Sequence, residues 1–214
     1  MLEQNQIWDQ LSLDKEEFTP KQKKIIAAAI EIFAEKGYAA TSTSEIAKKA
    51  GVAEGTIFRH YKTKKELLLS IVAPMMAKMI APLVIKDINR VLDKDYDTLE
   101  DFLRAMIKNR EAFVEKNILL FRILVQELPF QKELQEQFLE HIAAKIYIRM
   151  EKVVMHYQEK GEIMVMPSKT VIRLFLSTIF GHLIARFFIV SSEEWEDEEE
   201  MERTIQFLVK GLSE

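Results

Sequence analysis

The sequence predicts an all-α fold of about nine helices, and three observations predict it. Ala, Leu, Ile, Lys, Glu and Met dominate the 214 residues, while six Gly and five Pro leave few helix breakers. Apolar residues recur at three- and four-residue spacing through several long segments. No stretch of useful length alternates apolar and polar residues as a strand would. With 48% hydrophobic and 30% charged residues, the chain can bury a sizeable core and is far from a disordered composition.

The first helix starts at Thr19-Pro20, where Thr19 caps and Pro20 gives up an N–H that the first turn does not need. Ile25, Ala28, Ala29, Ile32 and Phe33 form its apolar face, and Gly37 ends it. Ser42-Thr43-Ser44-Glu45 is a capping box that opens a second helix running to about Ala50. Gly51-Val52-Ala53 makes a tight turn into a short third helix, about Glu54 to His60. Thr63 caps a fourth helix from Lys64, and Pro74 should kink or end it. Beyond Ile85, helical periodicity covers about Thr98–Lys116, Ile118–Leu128, Phe130–Gly161, Ser168–Val190 and Glu194–Leu212, punctuated by Pro129, Gly161 and Pro167.

Composition narrows the function classes. The chain has no Cys, which excludes disulfides and thiolate metal sites and suits a reducing, cytoplasmic setting. Residues 1–18 hold five acids and one Lys with no apolar run, so they read as an acidic extension rather than a secretory leader. Leu67–Ile85 is interrupted by Pro74 and Pro82, and Val171–Val190 carries Arg173, His182 and Arg186; both read as core helices rather than membrane spans. The acidic run Glu193–Glu202 reads as a solvated helix start, and the histidines are too dispersed for a metal site. There is no Gly-rich phosphate loop and no close nucleophile–base or paired-carboxylate motif, so neither an enzyme nor a cofactor is expected.

The net charge of −4 is unevenly divided. From Thr19 to Glu66 ten basic residues face five acids, a surplus of five, while the remainder holds 20 bases against 29 acids. A basic module on an acidic body fits a protein of which one part meets phosphate. The motif in that module has the parts of a helix-turn-helix: Ile46, Ala47 and Ala50 allow close helix approach, Gly51 makes the turn, and Val52 and Ile57 fill the space between. Thr43, Ser44, Glu54, Gly55, Thr56, Phe58, Arg59 and His60 are left to face DNA.

The stretch Gly37-Tyr38-Ala39-Ala40-Thr41-Ser42-Thr43-Ser44-Glu45-Ile46-Ala47, then Ala50-Gly51-Val52, then Gly55 to Lys64, resembles the DNA-binding signature of TetR-family regulators. The resemblance covers roughly the first third of the chain. It implies that Thr43 and Ser44 contact phosphate or a base edge, that Gly55 permits close approach to the DNA backbone, and that Thr56, Phe58 and Arg59 contact bases. It further implies phosphate contacts for His60 and Lys64. Core packing is the competing reading for Tyr61 and, equally weighted, for Phe58. Ala53 stands where the family often has a capping Ser. Glu54 sits in the first turn, where it favours the helix dipole and repels phosphate, or accepts from a cytosine amino group.

The resemblance also implies a small-molecule pocket in the larger domain, a homodimer on a palindromic operator, and repression as the commonest mode. Phe102, Met106, Phe113, Phe121, Gln126, Tyr147, Phe175 and His182 are candidate pocket residues, and their character leans towards an apolar effector. Ser177, Gly181 and Ala185 recur every four residues and nominate a dimer-forming stripe, with an intrachain contact as the competing reading. The expected organisation is an extension at 1–18, a helix-turn-helix domain at 19–66, and a ligand-binding and dimerisation domain at 67–214. A helical protein–protein adaptor without specific DNA binding is the alternative function.

Overall fold

The computed structural model describes residues 19–67, 69, 81–191 and 194–213. The acidic extension, Pro74 and most of the Leu67–Ile85 run lie outside the described residues. All regular structure among the described residues is helical, as the sequence predicts. The chain groups into two compact units, Met1–Leu83 with Lys116–Ile142 and Val84–Glu115 with Ala143–Glu214.

In the first unit, α1 spans Pro20–Ala40, α2 Thr43–Ala50 and α3 Glu54–His60, followed by helical residues 64–67. Helices α6 (Ile118–Glu127) and α7 (Lys132–Phe138) complete it. Thr19 and Gln22 close a reciprocal capping box on α1, with Pro20 in the first turn. Ile25 through Ile30 are all buried, so α1 is apolar around its whole circumference there. That pattern belongs to a central helix, and α1 packs against both α2 and α6.

The break at Gly37 needs a glycine: φ 78° and ψ 162° lie in a region closed to side chains. The chain then makes one further turn to Ala40, and the Thr41 hydroxyl donates to Gly37 O at 2.7 Å. Ser42 and Glu45 close the capping box on α2 that the sequence predicts, and Gly51 ends α2 in the left-handed conformation (φ 67°, ψ 36°). Ala53 precedes α3 without a side-chain cap. Ile25, Phe33, Ile46, Ile57 and Leu67 are fully buried in the core of this unit.

In the second unit, α4 covers Ala81–Leu92, α5 Leu99–Lys116, α8 Ala144–Glu159, α9 Ser168–Ile184 and α10 Asp197–Leu212. The periodicity reading left residues 86–92 unassigned, yet they are helical, with Ile88 and Val91 buried. The expected helix Phe130–Gly161 is α7 and α8 joined through a π-helical turn, Leu139–Ala143, and a second π turn, Ala185–Ile189, follows α9. Helix α9 packs against α8 and α10. Two groups tie the start of α5 in place: Leu99 N donates to Glu162 Oε2 at 2.5 Å, and the Tyr157 hydroxyl donates to Thr98 O at 3.1 Å.

Ser168–Ile189 is long and apolar enough to cross a membrane by length and composition alone. Two of its polar residues, His182 and Arg186, nevertheless find partners in this unit. The His182 ring lies 2.9 Å from Glu111 Oε1 and 3.2 Å from Thr204 Oγ1, and Arg186 pairs with Glu111 and Asp197. Val171, Ile172, Phe175, Ile179 and Leu183 are buried while Leu176, Phe180 and Ile189 are exposed, so the expected core helix buries one face and leaves the other open.

Candidate nucleic-acid interface

Helix α3 has two chemically distinct sides. Ile57 is fully buried and Tyr61, its C-cap residue, nearly so, which anchors the helix on the core of α1 and α2. Glu54, Gly55, Phe58, Arg59 and His60 are exposed, and Thr56 is half-buried at the edge. Phe58, for which two readings were open, points outward with 47% of its surface exposed. Leaving a phenylalanine ring in water is unfavourable by the area it exposes, so its position suits a surface that another molecule covers.

From α2, Ser44 is exposed and Thr43 half-buried. The Thr43 hydroxyl donates to Glu54 Oε1 at 2.7 Å, bridging α2 and α3 across the turn. A Cβ built on Gly55 would meet nothing within 4 Å, so the space above this backbone is open. Lys48, Arg59 and Lys62 are exposed cations around the same motif. Lys36 and Lys49 instead hold α1 to α2, pairing with Glu45 at 2.8 Å and Glu31 at 2.5 Å. The Lys36 ammonium and the Ser42 N–H together hold the Glu45 carboxyl down to about 2.

Lys64 differs in placement from the other members of the predicted set. Its ammonium donates to Tyr38 O at 2.8 Å, Ala39 O at 3.3 Å and Thr41 O at 2.7 Å, and lies 4.4 Å from the centre of the Tyr38 ring. Those carbonyls belong to the corner between α1 and α2, where helix-end acceptors lack intrahelical partners. The resemblance implies a phosphate contact for Lys64; in this structure its three protons go to main-chain oxygens.

Sequence reasoning missed the second holder of that corner. Glu127 of α6 is 7% exposed, and its carboxylate accepts from Tyr38 N at 2.9 Å. In sequence it is one more acid near the end of an apolar helix. Its partner lies 89 residues earlier, so no local signal marks it.

The residues nominated for a small-molecule pocket are divided between the units. Phe121 (half-buried) and Gln126 (exposed) lie in the first. In the second, Phe102 sits between Tyr96 and Tyr157, each ring 5.9 Å away, and Met106 and Phe175 are buried. Arg110 stacks over Phe113 at 4.9 Å, Tyr147 is half-buried, and His182 is held by Glu111, Thr204 and the edge of Trp195. The buried Arg110 guanidinium pairs with Asp87 at 2.6 Å, and burial lowers its pKa.

On α9, Ser177 and Gly181 are exposed and Ala185 is half-buried at the start of the π turn. Leu176, Phe180 and Phe188 are exposed along the same side, and α10 adds Phe207 at 68% exposure.

Residues 25–71 match the sequence profile described as "Bacterial regulatory proteins, tetR family". The chain is 46% identical over 61 residues to the fatty acid metabolism regulator protein of Bacillus subtilis, covering 28% of this chain and 31% of that protein. It is 27% identical over 199 residues to the HTH-type transcriptional regulator YvkB of the same organism, covering 91% of this chain and 98% of the relative. In fold it is similar to the transcriptional regulator FadR from Bacillus subtilis, solved in complex with stearoyl-CoA, with TM-score 0.62 and 23% identity. That match covers 88% of this chain and 98% of the other.

Proposed function

The chain belongs to the TetR family of bacterial regulatory proteins, and we propose that it acts in the cytoplasm as a dimeric repressor that leaves a palindromic operator when an apolar effector binds. The observation that carries this reading is the two-sided α3, with Ile57 and Tyr61 inward and Gly55, Phe58, Arg59 and His60 outward. A short helix anchored on one side and presenting polar and aromatic groups on the other can enter a major groove. Thr56 and Arg59 read base edges, Phe58 packs on a thymine methyl, His60 meets phosphate, and Ser44 meets phosphate or a base edge. Lys64 acts from behind, through the corner it holds. Residues 19–66 form the reading head, and 67–214 carry effector and dimer functions.

Two such heads are needed because one helix spans only a few base pairs. The exposed stripe Leu176, Ser177, Phe180, Gly181 and Phe188, with Phe207 of α10, supports dimerisation through these helices. The relatives concerned with fatty acid metabolism, and the stearoyl-CoA held by a protein of the same fold, support a long-chain acyl thioester as the effector.

The reading is tested by titrating protein onto a selected operator at several salt concentrations. Affinity should fall steeply with salt, with a log–log slope of about −0.9 for each phosphate neutralised. Arg59→Ala should weaken the operator far more than random duplex DNA. A salt-independent interaction, or none, would favour the adaptor alternative.

A further inference from the structure

The hydrogen bond between Thr43 and Glu54 gives the reading face a chemical preference of its own. A hydroxyl has one proton, and Thr43 donates it to Glu54 Oε1 at 2.7 Å. An ionised carboxylate donates nothing. The pair therefore offers lone pairs only: the remaining ones on Glu54, and those on Thr43 Oγ1. Glu54 is exposed at the first position of α3, and its described hydrogen bond runs across the turn rather than to an N–H of its own helix. Because its rotamer is held by a residue of another helix, the carboxylate is preorganised at the face and not a freely solvated side chain.

We infer, resting on the DNA-binding reading above, that Glu54 is a specificity-determining residue that selects a cytosine in each operator half-site. An acceptor-only group requires a donor, and in the major groove the donors are the exocyclic amines of cytosine and adenine. Guanine turns two acceptors, N7 and O6, towards the groove, and thymine turns O4; both repel a carboxylate. Adenine sets its N7 acceptor beside its amine, so a second carboxylate oxygen meets repulsion there. Cytosine presents its N4 amine with an acceptor on one side only, O6 of the paired guanine, and its own C5–H on the other, whereas the adenine amine has acceptors on both sides. While the bond holds, Thr43 has no proton for phosphate, which assigns it to orienting Glu54 rather than to gripping the backbone.

The test compares operators selected from a random duplex pool by the full-length wild type and by Glu54→Gln. The glutamine is nearly isosteric, still accepts from Thr43, and gains an amide donor that matches adenine N7. Wild type should enrich cytosine at one position per half-site by about 10-fold or more over the other bases. Glu54→Gln should move that one position towards adenine and leave the rest of the operator unchanged. The same base preference from both proteins would overturn the inference while leaving DNA recognition intact. Failure of the wild type to enrich any sequence would instead overturn the DNA-binding reading on which it rests.

Discussion

Replacing Gly181 with leucine separates a dimer surface from an ordinary exposed helix face. A Cβ at Gly181 meets nothing within 4 Å, so the substitution has room within the chain. It lies inside α9, where leucine is favoured over glycine by about 0.5–1 kcal/mol. Considered alone, each protomer should keep its helices and gain slightly in stability. The outcome reverses if the partner's α9 packs over this position. Ser177 and Gly181 then allow the helix axes to approach, and a leucine on each side forces them apart. Overpacking costs about 1–3 kcal/mol per site, so two symmetric copies lose about 2–6 kcal/mol of association energy. At about 1.4 kcal/mol per tenfold, dimer dissociation should rise by roughly 30-fold or more. Sedimentation velocity over a dilution series reads that change, and far-UV circular dichroism checks that helicity is kept. An unchanged dissociation constant with a modest gain in stability would refute the placement of the two-fold axis at Gly181.

Three further outcomes follow from the DNA-binding head. Gly55→Ala, at an equally open exposed position, should stabilise α3 by a few tenths to about 1 kcal/mol in urea unfolding while weakening operator binding; improvement in both would mean DNA does not approach there. Lys64→Met leaves three corner carbonyls without their charged donor and should cost about 1–3 kcal/mol of stability. Its operator affinity should fall with the salt slope unchanged, whereas loss of about 0.9 from the slope would make Lys64 a phosphate ligand. Glu45 is held at about 2, below the ordinary carboxylate value of about 4.3, so its contribution is complete above pH ~4.3 and disappears as pH falls towards 2. Glu45→Gln should therefore lose stability less steeply than wild type across that window, and parallel acid profiles would contradict the assignment.

Local chemistry was legible, and distant pairing was not. The Thr19 and Ser42 caps, the left-handed Gly51 and the uncapped Ala53 could each be read within four residues, because caps and turns are decided by neighbours. The burial of Ile46, Ala47, Ala50 and Ile57 followed from the same spacing. Helix α4 was missed beyond Ile85 because Lys86, Asp87 and Arg90 interrupt its apolar pattern, and Asp87 is drawn inward by Arg110, 23 residues away. The π turns at Leu139–Ala143 and Ala185–Ile189 leave no periodic signature in so few residues. Glu127 with Tyr38, and His182 with Glu111, are buried pairs whose partners lie 89 and 71 residues apart. Phe58 could not be assigned from its residue type, because an aromatic side chain serves a core and a thymine methyl equally well.

The most direct test of the central claim is a footprint of the dimer on its selected operator, read by hydroxyl-radical cleavage. Two protected backbone segments related by a two-fold axis, about one helical turn apart, are predicted, with protection lost in Arg59→Ala. Continuous, sequence-independent protection that survives that substitution would contradict recognition by α3.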